Sequence, residues 1–360
     1  MGMKDGKGGD LILDFGFWIL DFGFWILRKT RSFCCRGLAF GKLLSAHRQG
    51  FSPHAKPLRF RGCRYYLIHH PKVQDQNTMA KTFSIVTVEW LQAHLADPQV
   101  VVVDCRFALM QPALGQQHYE TSHIPEAHYL DLNRDLAAPV AQHGGRHPLP
   151  DLEQLAAKLA AIGIDSEPPT LVVAYDDSRF AFAARLWWLL RYLGHDRVAV
   201  LDGGFQAWQQ AGYTVTTEIP KPRSGNFVPR PQPQQVVDIT TVKARKDLPG
   251  VVLVDSREAD RYRGEREPID PVAGHIPGAI NYPWQDVTDD QGKVKPIAEH
   301  QHRWSALQDA QEILVYCGSG VTACVNLLSL ALAGIDTGKL YVGSWSDWCS
   351  YLEGLEGADP

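Results

Sequence analysis

The chain carries one pattern twice, and that repeat constrains its fold more than any other feature. "VVVDCR" at 101–106 returns as "VLVDSR" at 252–257, and "HIPEA" at 123–127 returns as "HIPGA" at 275–279. Tyr175 has its match in Tyr316, and "GGFQAW" at 203–208 has its match in "GSWSDW" at 343–348. The offsets between matched positions are 151, 152, 141 and 140. Four landmarks in one order, at nearly constant spacing, imply one module that was duplicated and fused.

Each copy alternates β-branched runs with helical patterns. In the first, "VVVVD" and "TLVVAY" read as buried strands, and Leu152, Leu155, Leu159 and Ile162 mark one face of a helix ended by Gly163. "AARLWWLLRYLGH" is the next helix and "VAVLDGG" the next strand. Strands alternating with helices predict an α/β fold: two tandem domains, each a mostly parallel sheet with helices on both faces. The first domain is expected over 82–215 and the second over 238–352. Between them, 216–237 holds Pro220, Pro222, Pro229, Pro231 and Pro233 and reads as a linker.

Residues 1–78 do not fit either copy. "ILDFGFW" at 12–18 repeats letter for letter at 19–25, and 22–74 is basic with no acidic residue, as organellar transit segments are. Globular patterning starts abruptly at "MAKTFSIVTVEW" from Met79. We therefore expect 1–78 to be a non-native or disordered extension and the protein to be cytoplasmic. It would be organellar only if the extension is a genuine transit segment. Beyond residue 78 the charge balance is acidic, 23 Lys and Arg against 35 Asp and Glu, which argues against a nucleic-acid partner. A membrane partner is not expected either. The seven cysteines form no CxxC pair, so neither a disulfide scaffold nor a metal site is predicted.

The chemistry concentrates at one turn. "VYCGSGVTACV" at 315–325 runs from a strand through a polar loop into a helix, and so does "VAYDDSRFAFA" at 173–183, with Asp176 where the later copy has Cys317. Such a turn aims free backbone N–H groups at one point, at the positive end of a helix dipole, and favours a thiolate there. Gly318 and Gly320 permit a close backbone approach, Ser319 and Thr322 add hydroxyl donors, and Val321 completes the cradle. A P-loop would need a lysine within 317–325, and there is none. A cysteine phosphatase would need an arginine six residues after Cys317, where Ala323 stands.

The tandem copies, "DSR", "HIPGA", "YCGSGVTA" and "GSWSDW" together resemble the two-domain rhodanese-type sulfurtransferases. The "CGSGVTA" loop resembles their 3-mercaptopyruvate type, and the resemblance covers 82–352. It implies an inactive first domain, in which Asp176 marks the lost nucleophile, and a catalytic second domain. Cys317 would take sulfur from a small-molecule donor as a persulfide and pass it to cyanide, a thiol or thioredoxin, without metal or cofactor.

Arg261 matches the family's substrate-binding arginine, with Arg266 a further candidate. The resemblance also points to Arg185, for which an interdomain role is expected. Asp255, Arg257, His123 and His275 recur in both copies or have partners there, and are read as scaffold or cleft residues. Two departures bear on the donor. Glu267-Pro268 is followed by Ile269, where the mercaptopyruvate type carries a second arginine. Gly318 and Ser319 stand where the thiosulfate type places basic residues. The loop favours mercaptopyruvate over thiosulfate. A non-enzymatic persulfide carrier or binding module is the alternative, and a monomer is expected.

Overall fold

A computed structural model describes residues 84–352. The expectations for residues 1–78 lie outside the described residues. The first domain runs β1 (Ile85–Val86), α1 (Val88–His94), β2 (Val100–Asp104), α2 (Ala113–Thr121), β3 (Ala127–Tyr129), α3 (Leu152–Ala161), β4 (Leu171–Tyr175), α4 (Ala183–Tyr192), β5 (Val198–Leu201) and α5 (Gly204–Gln210). The second runs β6 (Val236–Val237), α6 (Ile239–Arg245), β7 (Val251–Asp255), α7 (Ala259–Tyr262), β8 (Ile280–Asn281), α8 (Ile297–Arg303), β9 (Glu312–Tyr316), α9 (Ala323–Ala333), β10 (Gly338–Tyr341) and α10 (Ser344–Cys349).

Each domain holds a five-stranded parallel sheet, and the two orders correspond: β1-β5-β4-β2-β3 and β6-β10-β9-β7-β8. The central strands β2, β4 and β9 are buried along their whole length, because helices cover both faces. That is why they read as unbroken apolar runs. Helices α4 and α9 pack against each other across the two domains. One apolar core therefore runs through both, with Trp187, Trp188, Leu327 and Leu330 among its members.

The repeated landmarks are structural braces. Register sets Asp104 beside Tyr175 and Asp255 beside Tyr316. Arg106 pairs with Asp104 at 2.6 Å and donates to the Ser122 carbonyl; Arg257 pairs with Asp255 at 2.7 Å and donates to the Gly274 carbonyl. The Tyr175 hydroxyl accepts the Ile124 N–H, and the Tyr316 hydroxyl accepts the Ile276 N–H. Each domain thus ties two strand ends to its "HIP" turn through buried, fully bonded charge. Such charge is costly to break, since removing one partner leaves the other unpaired.

The proline-rich segment is less of a free linker than its composition suggests. Gly225, Arg230 and Gln232 donate backbone N–H groups to the carbonyls of Ala160, Leu193 and Tyr192, so the segment is strapped to the first domain. Its last two residues are β6, which pairs with β10 of the second sheet. The segment therefore ends at residue 235 rather than 237.

Candidate active site

Strand β9 delivers Cys317 into a loop that closes at the start of α9. The Cys317 N–H donates to Ser344 Oγ (3.2 Å), while its carbonyl accepts the Trp345 N–H (3.0 Å). The Gly318 carbonyl accepts the Ser346 N–H at 2.9 Å, so the first turn of α10 holds the loop from behind. Gly320 sits at φ 76°, and a Cβ there would lie 2.4 Å from the Val342 carbonyl oxygen. Only glycine fits. From the first domain, the buried Arg185 donates through Nη1 to the Gly320 carbonyl (3.1 Å) and through Nη2 to those of His147 and Pro148. One guanidinium thereby ties the Cys317 loop to the neighbouring domain.

Cys317 opens into a pocket of about 430 Å³ between the domains. The first domain contributes an apolar wall of Phe107, Leu109, Leu132 and Phe182, together with Arg146 and His147. The second contributes Cys317, Gly318, Ser319, Val321 and Thr322, with Arg257, Glu258, Arg261, Ile269 and Trp284. Gly318 has a steric reason of its own. A methyl group there would lie 3.1 Å from Arg146 Nη2 and 3.6 Å from Arg261 Nη2, so the glycine lets both guanidiniums reach the cysteine loop.

The charges beside the pocket are arranged in a chain. Arg261 donates through Nη2 to Glu267 Oε1 (2.7 Å) and to Asp270 Oδ2 (3.1 Å), and Arg146 donates through Nη1 to Asp270 Oδ1. Glu267 also accepts from Arg257 Nη1 at 3.1 Å. Burial pushes the Arg146 pKa down and the positive charge of Arg261 adds to this, while Cys317 and Glu267 work the other way. His147 Nδ1 lies 2.7 Å from Ser319 Oγ. Burial, then the charges of Arg185 and Arg146, drive the His147 pKa down to about 3, so the ring is neutral. The Ser319 hydroxyl and this neutral imidazole are hydrogen-bonded to each other beside the cysteine. Cys324 differs in kind: burial pushes its thiol up to about 12, and Sγ donates to the Gly320 carbonyl. It packs beneath the loop as a thiol.

The structure brings most of the expected residues together and separates others. Cys317, Gly318, Ser319, Val321, Thr322, Arg257 and Arg261 line the pocket; Gly320, Arg185 and Asp255 support it from behind. His123 does not face the cleft. Its ring nitrogens lie against the backbone carbonyls of Tyr119 in its own domain (2.7 Å) and of Glu218 in the strap (3.1 Å), and the ring stacks on Tyr119. His275 repeats the arrangement on Tyr262. Arg266 is corrected as well: it is half exposed, paired with Asp260 at 2.6 Å, and absent from the pocket wall.

Arg146 and His147 were missed in the sequence. The available signal was "HGGRHP" at 143–148, a glycine pair followed by basic residues. Gly144 and Gly145 both take positive φ, and a Cβ at Gly145 would strike the Gly343 carbonyl at 2.3 Å. The glycines let this loop press onto α10, where the Gly144 N–H donates to Asp347 and the Arg146 N–H to Ser346.

Comparison with known proteins agrees with this geometry. The model of the rhodanese-like domain matches residues 87–211 and again 238–351. A probable 3-mercaptopyruvate sulfurtransferase of Pseudomonas aeruginosa is 47% identical over 73% of this chain and 94% of its own length. A putative thiosulfate sulfurtransferase of Mycobacterium tuberculosis is 37% identical over 71% and 89%. The crystal structure of a 3-mercaptopyruvate sulfotransferase from Escherichia coli superposes with a TM-score of 0.64 at 31% identity, covering 73% of this chain and 98% of that one. With both domains matched and its relatives alike over nearly their whole length, this chain belongs to the rhodanese-like family, as a protein of two such domains in tandem.

Proposed function

We propose that the protein is a sulfurtransferase that moves sulfur from 3-mercaptopyruvate to a thiophilic acceptor through a persulfide on Cys317. The observation that carries this reading is the meeting, in one interdomain pocket, of the cradled Cys317, two guanidiniums and the Ser319–His147 pair. The first domain is the non-catalytic partner. It supplies Arg146, His147 and the brace Arg185, and the second domain supplies the nucleophile.

Arg146 and Arg261 hold the donor carboxylate, bringing its sulfur to Cys317. The thiolate attacks that sulfur, forming the S–S bond while the C–S bond breaks and its electron pair passes to carbon as the enolate of pyruvate. The donor's thiol proton, passed through Ser319 and His147, goes to the enolate, leaving pyruvate and a persulfide anion. The N–H groups of the loop receive that anion in place of the thiolate. Cyanide or a thiol then attacks the outer sulfur, and the S–S electron pair returns to Cys317. We place thioredoxin among the thiol acceptors and the activity in the cytoplasm, a reducing compartment that keeps a nucleophilic cysteine such as Cys317 as a thiol between turnovers. The working unit is a monomer, because both walls of the pocket come from one chain.

The test is sulfur transfer to cyanide by the full-length protein, with mercaptopyruvate and thiosulfate as donors. Pyruvate and thiocyanate should form with mercaptopyruvate, and Cys317→Ser should lower turnover by at least about a thousandfold. Turnover that survives the substitution would remove Cys317 from the reaction. A sulfur adduct on Cys317 without release of pyruvate would instead make the protein a persulfide carrier.

A further inference from the structure

We infer that Asp270 sets the charge class of the donor: held between Arg146 and Arg261, its carboxylate cancels one guanidinium charge and tunes the pocket for a monoanion against a dianion. The inference rests on the sulfur-transfer reading above and deepens it to the choice of donor.

The Asp270 side chain is only 1% exposed. Oδ1 accepts from Arg146 of the first domain and Oδ2 from Arg261 of the second, so the carboxylate bridges the two domains directly behind the pocket wall. Its own N–H donates to Glu267 Oε1 at 3.0 Å, which fixes its position. Glu267 is itself engaged by Arg257 and Arg261, and Asp255 by Arg257. Three guanidiniums thus face three carboxylates, and the cluster is balanced before any donor arrives. Glu258 adds a further negative charge at the pocket wall, 3.9 Å from Arg261 Nη1. Ile269, the residue before Asp270, adds an apolar residue to the pocket lining.

The arginines still have donors to offer, since a guanidinium carries five N–H groups. Arg146 Nη2 and Arg261 Nη1 lie against Gly318, beside the nucleophile. A carboxylate can be gripped there by charge-assisted hydrogen bonds. Binding then adds one uncompensated negative charge with mercaptopyruvate and two with thiosulfate. In a pocket walled by Phe107, Phe182 and Trp284 the second charge is penalised, because screening is weak there. Without the Asp270 charge the site would be one unit more positive, a change that favours the dianion over the monoanion. Asp270 does not line the pocket; it is a positioning residue that acts through the arginines.

Asp270→Asn keeps the shape and removes the charge. Measured on the full-length protein with cyanide as acceptor, the kcat/KM for thiosulfate relative to mercaptopyruvate should rise at least about tenfold, equivalent to about 1.4 kcal/mol. Asp270→Glu, which keeps the charge, should retain the parent ratio. A role confined to bracing would lower both donors together, so an unchanged ratio overturns the inference. If Asp270→Asn does not fold, Arg146→Gln makes the complementary test, and the ratio must then fall.

A second readout does not need turnover. Sulfate and pyruvate should protect Cys317 from iodoacetamide, followed by mass spectrometry of its peptide. Asp270→Asn should lower the half-protecting concentration of sulfate at least about tenfold while moving that of pyruvate less. A parent protein that transfers sulfur from neither donor would refute the proposed function. The protection ratio would still decide the role of Asp270.

Discussion

Asp176 and Cys317 occupy matching places, one residue beyond the tyrosine that ends the central strand of each domain, yet their loops are satisfied in opposite ways. The Asp176 carboxylate accepts four N–H groups of its own loop: Oδ1 those of Ser178 and Phe180, Oδ2 those of Phe182 and Ala183. The first loop therefore carries its anion built in. In the second loop a thiol stands at that place, no residue of 317–323 carries a carboxylate, and the Cys324 N–H, the match of Ala183, donates instead to the Val321 carbonyl at 3.0 Å. One turn serves as a filled cradle in one domain and as a reaction site in the other.

The filled cradle also explains how the first loop holds an awkward backbone. Arg179 and Phe180 sit at φ 57° and 71°, in the left-handed region, each at a cost of about 1–2 kcal/mol. In the second loop only Gly320 needs that region, at no such cost. Burial pushes the Asp176 pKa up, and the N–H groups of Ala183, Ser178 and Phe182 oppose it. Asp176→Ala would break the comparison most sharply. It leaves four N–H groups unpaired, those of Phe180 and Ala183 fully buried, and two strained residues without a brace, so we expect a loss of about 3 kcal/mol or more in urea unfolding. Protein that remains folded should transfer sulfur through Cys317 as before. A variant as stable as the parent would mean that water satisfies the loop and that the carboxylate is incidental.

This contrast marks what could be read in the sequence. Asp104, Arg106 and Tyr175, with their counterparts Asp255, Arg257 and Tyr316, were legible as a duplicated module because each brace joins fixed points of the same topology. Cys317 was legible because its chemistry is local: strand, loop and helix follow one another within a dozen residues. Arg146 and His147 were not. They reach Cys317 across the domain interface, and a contact between His147 and Ser319 leaves no periodicity in either segment. Glycine-driven docking of a loop onto another domain becomes visible only when both surfaces are folded. Arg266 was misplaced for a related reason. Arg261 lies within the short helix α7, which ends at Tyr262 and faces it to the pocket, whereas Arg266 lies in the turn beyond and folds back onto Asp260.

The loops that cross between the domains sharpen the comparison further. Residues 143–147 reach from the first domain over the Cys317 loop, and residues 289–294 reach from the second toward the Asp176 loop, where the Val294 N–H donates to Asp202. The first crossing buries a histidine, with a consequence that depends on pH. In the folded chain the His147 pKa lies near 3, well below the value of about 6.5 of an exposed imidazole. Between these values the unfolded chain binds a proton that the folded chain does not. Stability is then fully present above about pH 6.5 and falls with pH below it, by up to about 1.4 kcal/mol per pH unit for one proton. Urea unfolding near pH 5 and near pH 7 should show this slope, and His147→Asn should flatten it. The same neutrality predicts that kcat/KM for mercaptopyruvate has no acid inflection from this residue near pH 6.5. An inflection there that His147→Asn removed would show that the ring is charged in the working enzyme.

The smallest expected effect separates two arginines five residues apart. Arg261 is nearly buried and joined to Glu267 and Asp270 within the cysteine pocket, whereas Arg266 lies half exposed in a pair with Asp260. An exposed pair is screened by water and contributes little, while a buried guanidinium on the pocket wall acts on the donor directly. Arg266→Ala should therefore leave kcat/KM unchanged for both mercaptopyruvate and thiosulfate, at low and at high salt. Arg261→Ala should impair both, because it removes one side of the donor clamp and releases Glu267 and Asp270. A selective loss of thiosulfate turnover in Arg266→Ala, greatest at low salt, would mean that the turn after α7 attracts the donor from a distance. The charge of the donor would then be chosen at the mouth of the pocket as well as behind its wall.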